Sequence, residues 1–460
     1  MNWTRKQFTI VVIVSTTAFF STFLISAVNI ALPAIEAEFS MDAITLSWVV
    51  TSFLLSTGMF LLPSGRLADL TGMRRVFKLG VVVFAVSSLL CGLAVSGSWL
   101  IVFRFVQGIG SALSSAIGPA ILVTAFSPKH RGRVLGIIIS AVYFGLAIGP
   151  FAGGLLTQYL GWRWLFYFSF GAGVLTSGVS LLYLGTDGPL QTRSIHPRFG
   201  GTLFYMTGLT ALVYGASLIP GVTGWLVMLA GVLAMGLFWW SETRSDAPVI
   251  DLKIFTHNRL FAFSNLAALI NYSSTFSIVF LLSLYLQKVQ GLSPFDAGTV
   301  LIAQPVVMAV FSPFTGRMAD KIQSRYLATA GMAMCALGLF SLAWLGEATS
   351  MSVIVAVLVW VGIGFSLFSS PNMSTIMGSV EKHQLGTASG SSATMRVVGQ
   401  IVSMTIATAL FAIMFDGLAV EKVSDTVFLT TMRWGFLIFA AISASGIYFS
   451  YSRGNLHNQP

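Results

Sequence analysis

Residues 65–69 read GRLAD, and residues 316–320 read GRMAD, 251 positions later. Each copy lies in a short polar gap between two long apolar stretches. Further basic residues follow both copies, Arg74 and Arg75 in the first case and Lys321 and Arg325 in the second. A repeat over this distance predicts two similar halves, each with a basic loop at the same place.

The composition of the chain is that of a membrane protein. Apolar residues make up 55% of it and charged residues 9%, whereas soluble domains carry about 25% charged residues. The two cysteines, Cys91 and Cys335, lie in apolar runs, so we expect buried thiols and no disulfide. The first apolar run continues through Leu32 and Pro33 without a small-residue cleavage pattern, which indicates a retained helix.

Fourteen apolar runs are long enough to cross a bilayer, for which a helix needs about 20 residues. They lie near 8–33, 45–64, 76–95, 98–126, 134–158, 163–184, 199–219, 223–241, 260–286, 295–315, 326–345, 350–378, 386–414 and 427–451.

The distribution of basic residues sets the expected orientation. With a cytoplasmic N-terminus, 19 of the 25 Lys and Arg residues fall in cytoplasmic segments. Three fall in segments on the opposite side of the membrane (Arg163, Lys288 and Lys422), and three fall within spans (Arg104, Arg396 and Arg433). This bias predicts a multi-pass protein of the cell (inner) membrane with both termini in the cytoplasm. It also explains the net charge of +10 without a nucleic-acid partner.

The repeat assigns the spans to domains. Spans 2 and 10 precede the two copies, so spans 1–6 correspond to spans 9–14, and spans 7 and 8 form an insert. We therefore predict a six-helix bundle over 1–188, a linker with two helices over 189–255 and a second six-helix bundle over 256–460. In a membrane chain, duplicated halves of this kind are typical of carriers that work by alternating access.

The loop after span 2 continues as GRLADLTGMRR over residues 65–75. With this loop, the chain resembles the major facilitator superfamily, and more narrowly its fourteen-span drug:proton antiporter family of bacteria and archaea. The resemblance implies a loop that latches the two halves in one state and releases them in another. The implied latch residues are Gly65, Asp69, Gly72, Arg74, Arg75, Gly316, Asp320 and Arg325.

Two further motifs carry the resemblance. Span 4 reads RFVQGIGSA from Arg104, and in the family this arginine is linked to proton transfer. A purely structural arginine, satisfied by backbone carbonyls, is the alternative. Span 5 carries Gly145, Gly149, Pro150, Gly153 and Gly154, a signature that the resemblance associates with exporters. The alternative is a glycine packing seam without directional meaning. Three of these glycines share a face that allows close helix approach, and the proline removes a helical hydrogen bond.

An expected acid is missing. Relatives that expel cations usually carry one in span 1, at the position of Leu24, and no Asp, Glu or His lies in the middle of any predicted span. Arg396 in span 13 would join Arg104 in making a shared cavity electropositive, which favours anionic or neutral substrates. A structural role for Arg396 stays open. Two proton routes also stay open, one through rim carboxylates such as Asp69 or Glu36 and one through a protonatable substrate.

Polar residues within the spans indicate a substrate cavity, although such side chains also join helices to each other. The candidates are Asn29, Trp48, Gln107, Tyr143, Asn271, Tyr272, Gln304 and Asn372.

These observations predict an all-α membrane protein of the major facilitator fold that acts as a secondary transporter. The expected activity is export of amphipathic organic compounds, with proton coupling left open. One alternative is a uniporter or importer of a neutral or anionic metabolite, and another is a sensor that transports nothing. No P-loop or metal-ligand cluster is present in the sequence, so we expect neither an enzyme nor a cofactor. The expected partners are the small-molecule substrate, protons if transport is coupled, and membrane lipids, and the expected state is a monomer.

Overall fold

A computed structural model describes residues 3–185, 187, 199–244, 252–319, 321–381 and 384–454. The described part is helical apart from its connections. The helices are α1 (Arg5–Phe39), α2 (Ala43–Thr71), α3 (Met73–Gly92), α4 (Gly97–Ala125), α5 (Pro128–Tyr159), α6 (Arg163–Tyr183), α7 (Phe199–Ser217), α8 (Val222–Thr243), α9 (Leu252–His257), α10 (Arg259–Thr275), α11 (Ser277–Lys288), α12 (Pro294–Leu301), α13 (Ala303–Ala319), α14 (Ser324–Leu342), α15 (Met351–Gly378), α16 (Leu385–Met414) and α17 (Asp425–Ser452).

Each predicted span overlies a helix or a pair of consecutive helices. Two predicted spans are interrupted, one between α10 and α11 at Phe276 and one between α12 and α13 at Ile302. Counting each of these pairs once, thirteen candidates among the described residues are long and apolar enough to cross a membrane. α7, a helix of 19 residues, is not one of them. The count of fourteen spans therefore stays a prediction.

Helix starts follow the local sequence. Thr4 and Gln7 form a capping box at the start of α1, and Ser96, Asn258, Ser293 and Ser424 cap later helices with their side chains. Such caps satisfy N–H groups that have no partner within the helix. In a membrane, this satisfaction has to come from the protein itself.

The chain forms two compact units. The first contains Met1–Met41, Trp48–Ala211 and Ala230–Val249, and the second contains Asp42–Ser47, Leu212–Leu229 and Ile250–Pro460. The residues of the predicted linker are thus divided between the units. In the first unit, α7 packs on α2, where the Tyr205 hydroxyl donates to the Gly58 carbonyl at 3.0 Å.

The repeat is visible in the helix pairings of each unit. In the first unit, α1 packs on α5 and α6, and α3 packs on α4 and α6; in the second, α10 packs on α16 and α17, and α14 packs on α15 and α17. α3 begins at Met73 and α14 begins at Ser324, the same 251-residue spacing as the two motif copies. Cys91 and Cys335 occupy buried positions on α3 and α14, as predicted.

Candidate functional site

The first motif copy spans the end of α2 and the start of α3. Gly72 precedes α3 and has φ 106°, a positive value that glycine adopts readily because it has no Cβ. Gly65 is exposed with open space around it. Asp69 lies on α2, but its side chain is outside the described part of the structure. The latching role of this loop remains a prediction.

A residue outside the motif holds the first loop in place. The carboxylate of Asp187, which follows α6, accepts from the backbone N–H groups of Arg74 at 3.0 Å and Arg75 at 3.2 Å. A Cβ at position 72 would collide with this carboxylate. Lys78 donates from Nζ to the Gly185 carbonyl at 2.8 Å, which adds a second tie to the same segment. Because an anion at a helix N-terminus is favourable, Asp187 acts as a remote cap for α3.

The second motif copy is stabilised by different chemistry. Gly316 lies on α13, and Asp320 lies outside the described residues. The Arg325 guanidinium stacks on the rings of Tyr326, 4.6 Å from the centroid, and Tyr451, 5.5 Å from the centroid. The side chain of Gln323, the N-cap residue of α14, makes no capping hydrogen bond with a described residue. The two loops share a sequence, but an acid holds the first and aromatic rings contact the second.

Arg104 is the centre of a buried polar network in the first unit. Its Nε donates to the Val49 carbonyl at 3.0 Å, and its Nη1 donates to Gln107 Oε1 at 2.6 Å. Gln107 in turn donates to Ser88 Oγ at 2.7 Å, and the guanidinium lies 4.4 Å from the centroid of the Phe53 ring. The network joins α2, α3 and α4 and occupies both Arg104 and Gln107. This geometry favours the structural role for Arg104, while its part in proton coupling remains a prediction.

Arg396 has different surroundings. It lies on α16 in the second unit, is half-buried, and forms no hydrogen bond or ion pair with any residue that the structure describes. Arg104, by contrast, is completely buried in the first unit. A half-buried guanidinium with unoccupied donors is the more suitable of the two for contact with a solute.

The exporter-type segment forms the contact between α5 and α1. Gly145 faces the Phe19 carbonyl and Thr22, Gly149 faces Ser26, and Gly153 faces Ala27. Gly154 is buried beside them. A Cβ at Gly149 would lie 2.6 Å from the Ser26 Cβ, closer than real contacts allow. The predicted glycine face is thus a seam at which two helix backbones approach closely.

A hydroxyl from α1 replaces the backbone hydrogen bond that Pro150 removes. Pro150 lies inside α5 and has no N–H for the carbonyl of Leu146, four residues earlier. Ser26 Oγ donates to that carbonyl at 3.2 Å. Thr22 Oγ1 makes a similar bond to the Val142 carbonyl at 3.1 Å. Neither hydroxyl was among the candidates chosen from the sequence. Ser26 and Leu146 are 120 positions apart, and no local sequence pattern indicates that they form a hydrogen bond.

The remaining cavity candidates divide between the units. In the first unit, Asn29 donates to the Ile25 carbonyl of its own helix at 3.2 Å, and Trp48 and Tyr143 are half-buried. In the second, Tyr272 is half-buried with its ring edge-on to Phe365.

Three amides of the second unit differ in their bonding. Asn271 and Gln304 are buried. Oε1 of Gln304 has no hydrogen-bond partner among the described residues, whereas the Asn271 side chain interacts with the Cys335 thiol. Asn372 donates to the Ser264 carbonyl at 3.0 Å and accepts from Arg453 at 2.6 Å. Among these amides, Gln304 therefore has the clearest free hydrogen-bonding capacity for a solute.

Acidic groups are scarce in the helix interiors. Leu24, where cation exporters carry an acid, is fully buried on α1. Among the described acids, Glu36 near the end of α1 and Glu242 near the end of α8 are buried. The described residues contain no group of three His, Cys, Asp or Glu residues that could hold a metal ion.

The chain is similar in sequence and in fold to known membrane transporters. The model of the family described as Major Facilitator Superfamily matches residues 14–404. The riboflavin transporter RibZ of Clostridioides difficile (strain 630) is 28% identical over 411 residues, 89% of each chain. The multidrug resistance protein Stp of Mycobacterium tuberculosis (strain ATCC 25618 / H37Rv) is 31% identical over 392 residues, 84% of this chain and 72% of Stp. The crystal structure of a D-xylose-proton symporter matches with a TM-score of 0.71 at 14% identity, covering 98% of this chain and 99% of that one.

Proposed function

Because the chain belongs to the Major Facilitator Superfamily, we propose that it exports amphipathic organic compounds by alternating access. It is a multi-span membrane transporter of small molecules and not an enzyme. The family membership fixes this class, and relatives named for riboflavin transport and for multidrug resistance leave the substrate to be argued from the residues.

The observation that carries the proposal is the seam between α5 and α1. The exporter-type glycines pack directly on α1, and Ser26 satisfies the carbonyl that Pro150 leaves free. A proline whose freed carbonyl is satisfied by a neighbouring helix can be kept inside the membrane, where an unsatisfied carbonyl would be costly. A relative named as a multidrug resistance protein is consistent with amphipathic organic compounds as substrates.

The charges of the helix interiors bear on the substrate. A cation in a low-dielectric site needs a nearby carboxylate, and the buried Leu24 provides none. Arg396 is half-buried and has no hydrogen-bond or ion-pair partner among the described residues, and Gln304 offers a neutral acceptor. We therefore propose neutral or anionic amphipathic compounds as substrates. Coupling to protons would use carboxylates near helix ends, such as Asp69 or Glu36, or a substrate that itself carries the proton.

The second candidate is uniport or import of a neutral or anionic metabolite. The specific observation in its favour is again the apolar Leu24, together with Oε1 of Gln304, which is buried and has no partner among the described residues. The relative named as a riboflavin transporter agrees with a neutral, hydrogen-bonding solute.

Transport in liposomes separates these functions. The full chain is reconstituted with a pH-sensitive dye in an acidic lumen, and cationic, neutral and anionic amphipathic compounds are added outside. Proton-coupled export predicts that a compound accumulates while the lumen becomes less acidic. Uniport predicts equilibration that ignores the pH gradient, and symport predicts uptake with further acidification.

Variants and negative outcomes complete the test. Asp69→Asn and Glu36→Gln should slow proton release without abolishing counterflow, if a rim carboxylate carries the proton. Proton release driven only by lipophilic cations would refute the proposed substrate class. The absence of transport and of counterflow for every compound, in a correctly folded protein, would favour a sensor.

A further inference from the structure

A buried arginine that is not among the residues assigned to transport lies just after α17. Arg453 directly follows Ser452, the last residue of α17, and is 1% exposed. Its Nη1 donates to Asn372 Oδ1 at 2.6 Å and lies 3.5 Å from Ser264 Oγ. The side chain therefore points into the second unit, towards α10 and α15, and is fixed there by a short hydrogen bond.

One edge of this guanidinium has no partner. Nε and Nη2 of Arg453 are enclosed and form no hydrogen bond with any residue in the described ranges. These two nitrogens carry parallel N–H groups on the same side of the planar fork, the arrangement that binds an anion at two points. A buried donor without a partner costs about 1–3 kcal/mol, and more when the group is charged. Two such donors on one edge indicate that an acceptor belongs there.

The charge of Arg453 is also uncompensated. Among the described residues, no carboxylate forms an ion pair with it; the two ion pairs present join Arg163 to Glu38 and Lys288 to Asp425. Burial lowers the pKa of Arg453 to about 10, so the side chain remains a cation at neutral pH. A water molecule could accept two hydrogen bonds, but it would leave this buried charge without a counter-charge.

We propose that the Nε and Nη2 edge of Arg453 binds a small inorganic anion, such as chloride, enclosed between the ends of α10, α15 and α17. The enclosed position of both nitrogens favours a small ion over the headgroup of a lipid. The anion would supply the charge and the two acceptor positions that no described residue supplies, and so would hold the three helix ends together. This site is independent of the transport activity proposed above.

The test is anion-dependent stability of the purified full chain in neutral detergent. Sodium gluconate is replaced stepwise by sodium chloride at constant ionic strength, and the apparent unfolding temperature is measured. Binding to the native state predicts a saturable rise of about 2 °C or more. The rise should disappear in Arg453→Gln and shrink in Arg453→Lys, because an ammonium lacks the two-donor edge.

Arg433→Gln is the matched control, since it removes the same charge from the same helix. Arg433 is exposed and lies over the Trp344 ring, at 3.9 Å from the centroid, and should leave the chloride response intact. An unchanged response in Arg453→Gln, or a response that never saturates, would show an adventitious ion only. The absence of any chloride effect on the wild type would also overturn the proposal, as would stabilisation solely by phosphatidylglycerol added to the micelles. If Arg453→Gln does not fold, the wild-type titration and Arg453→Lys still decide the question.

Discussion

Gly149→Ala tests the close approach of α5 to α1 most directly. The new Cβ would lie 2.6 Å from Ser26 Cβ, 3.0 Å from Ser26 Oγ and 3.2 Å from the Ala27 nitrogen. Since carbon atoms pack at about 3.5–4.0 Å, the two helices would have to separate locally by roughly 1 Å. Backbone atoms and a short side chain line this seam, so no flexible side-chain end can move aside to make room.

Three free-energy contributions determine the expected effect. Overpacking a tight core costs about 1–3 kcal/mol, and weakening the bond from Ser26 to the Leu146 carbonyl costs about 1 kcal/mol. The higher helix propensity of alanine relative to glycine stabilises the folded state by up to about 1 kcal/mol and partly offsets these losses. We therefore expect Gly149→Ala to destabilise the first unit by about 1–3 kcal/mol and to slow transport, since α5 and α1 can no longer pack closely.

The assay combines thermal unfolding of the purified protein with transport in liposomes. Gly136→Ala is the control on the same helix, because a Cβ at Gly136 meets nothing within 4 Å. It should be neutral or slightly stabilising. Wild-type stability and transport rate in Gly149→Ala would refute the reasoning, and so would an equal loss in Gly136→Ala, because the effect would then not come from the seam.

Two further variants test individual hydrogen bonds. Ser26→Ala should lower the free energy of unfolding by about 1–3 kcal/mol, because the Leu146 carbonyl loses its donor. Ser140→Ala, which removes only a bond to the Gly136 carbonyl one turn earlier in α5, should change it much less; equal losses in thermal unfolding would contradict this explanation. Asp187→Ala should cost about 0.5–2 kcal/mol, because the N–H groups of Arg74 and Arg75 lose their remote cap. Chemical unfolding can compare it with Glu347→Ala at an exposed acid, and an unchanged midpoint for Asp187→Ala would mean that solvent replaces the carboxylate.

The sequence predicted those features that depend on spacing along the chain. The lengths of the apolar runs predicted the positions of the long helices. The 251-residue repeat predicted the spacing between corresponding helices, which α3 and α14 show. The positive φ of Gly72 and the glycine face of α5 could also be predicted, because both depend on what a missing Cβ permits. The interruptions at Phe276 and Ile302 were not predicted, since neither position carries a proline or glycine.

The partners of the polar side chains could not be predicted in the same way. Ser26 and Leu146 are 120 positions apart, Arg74 and Asp187 are 113 apart, and Asn372 and Arg453 are 81 apart. The sequence alone does not distinguish an isolated Ser, Asp or Arg that binds a solute from one that forms a hydrogen bond with another helix. Asn372 shows the difficulty, because only the tertiary structure reveals that it accepts a hydrogen bond from Arg453.

By itself, the sequence determined that this chain is a duplicated helical membrane protein, since hydrophobic length and repetition are one-dimensional properties. Only the tertiary structure decided which buried polar groups are satisfied within the protein and which remain available. That distinction depends on distances between helices far apart in the chain, because a hydrogen bond is lost over a displacement of about 1 Å.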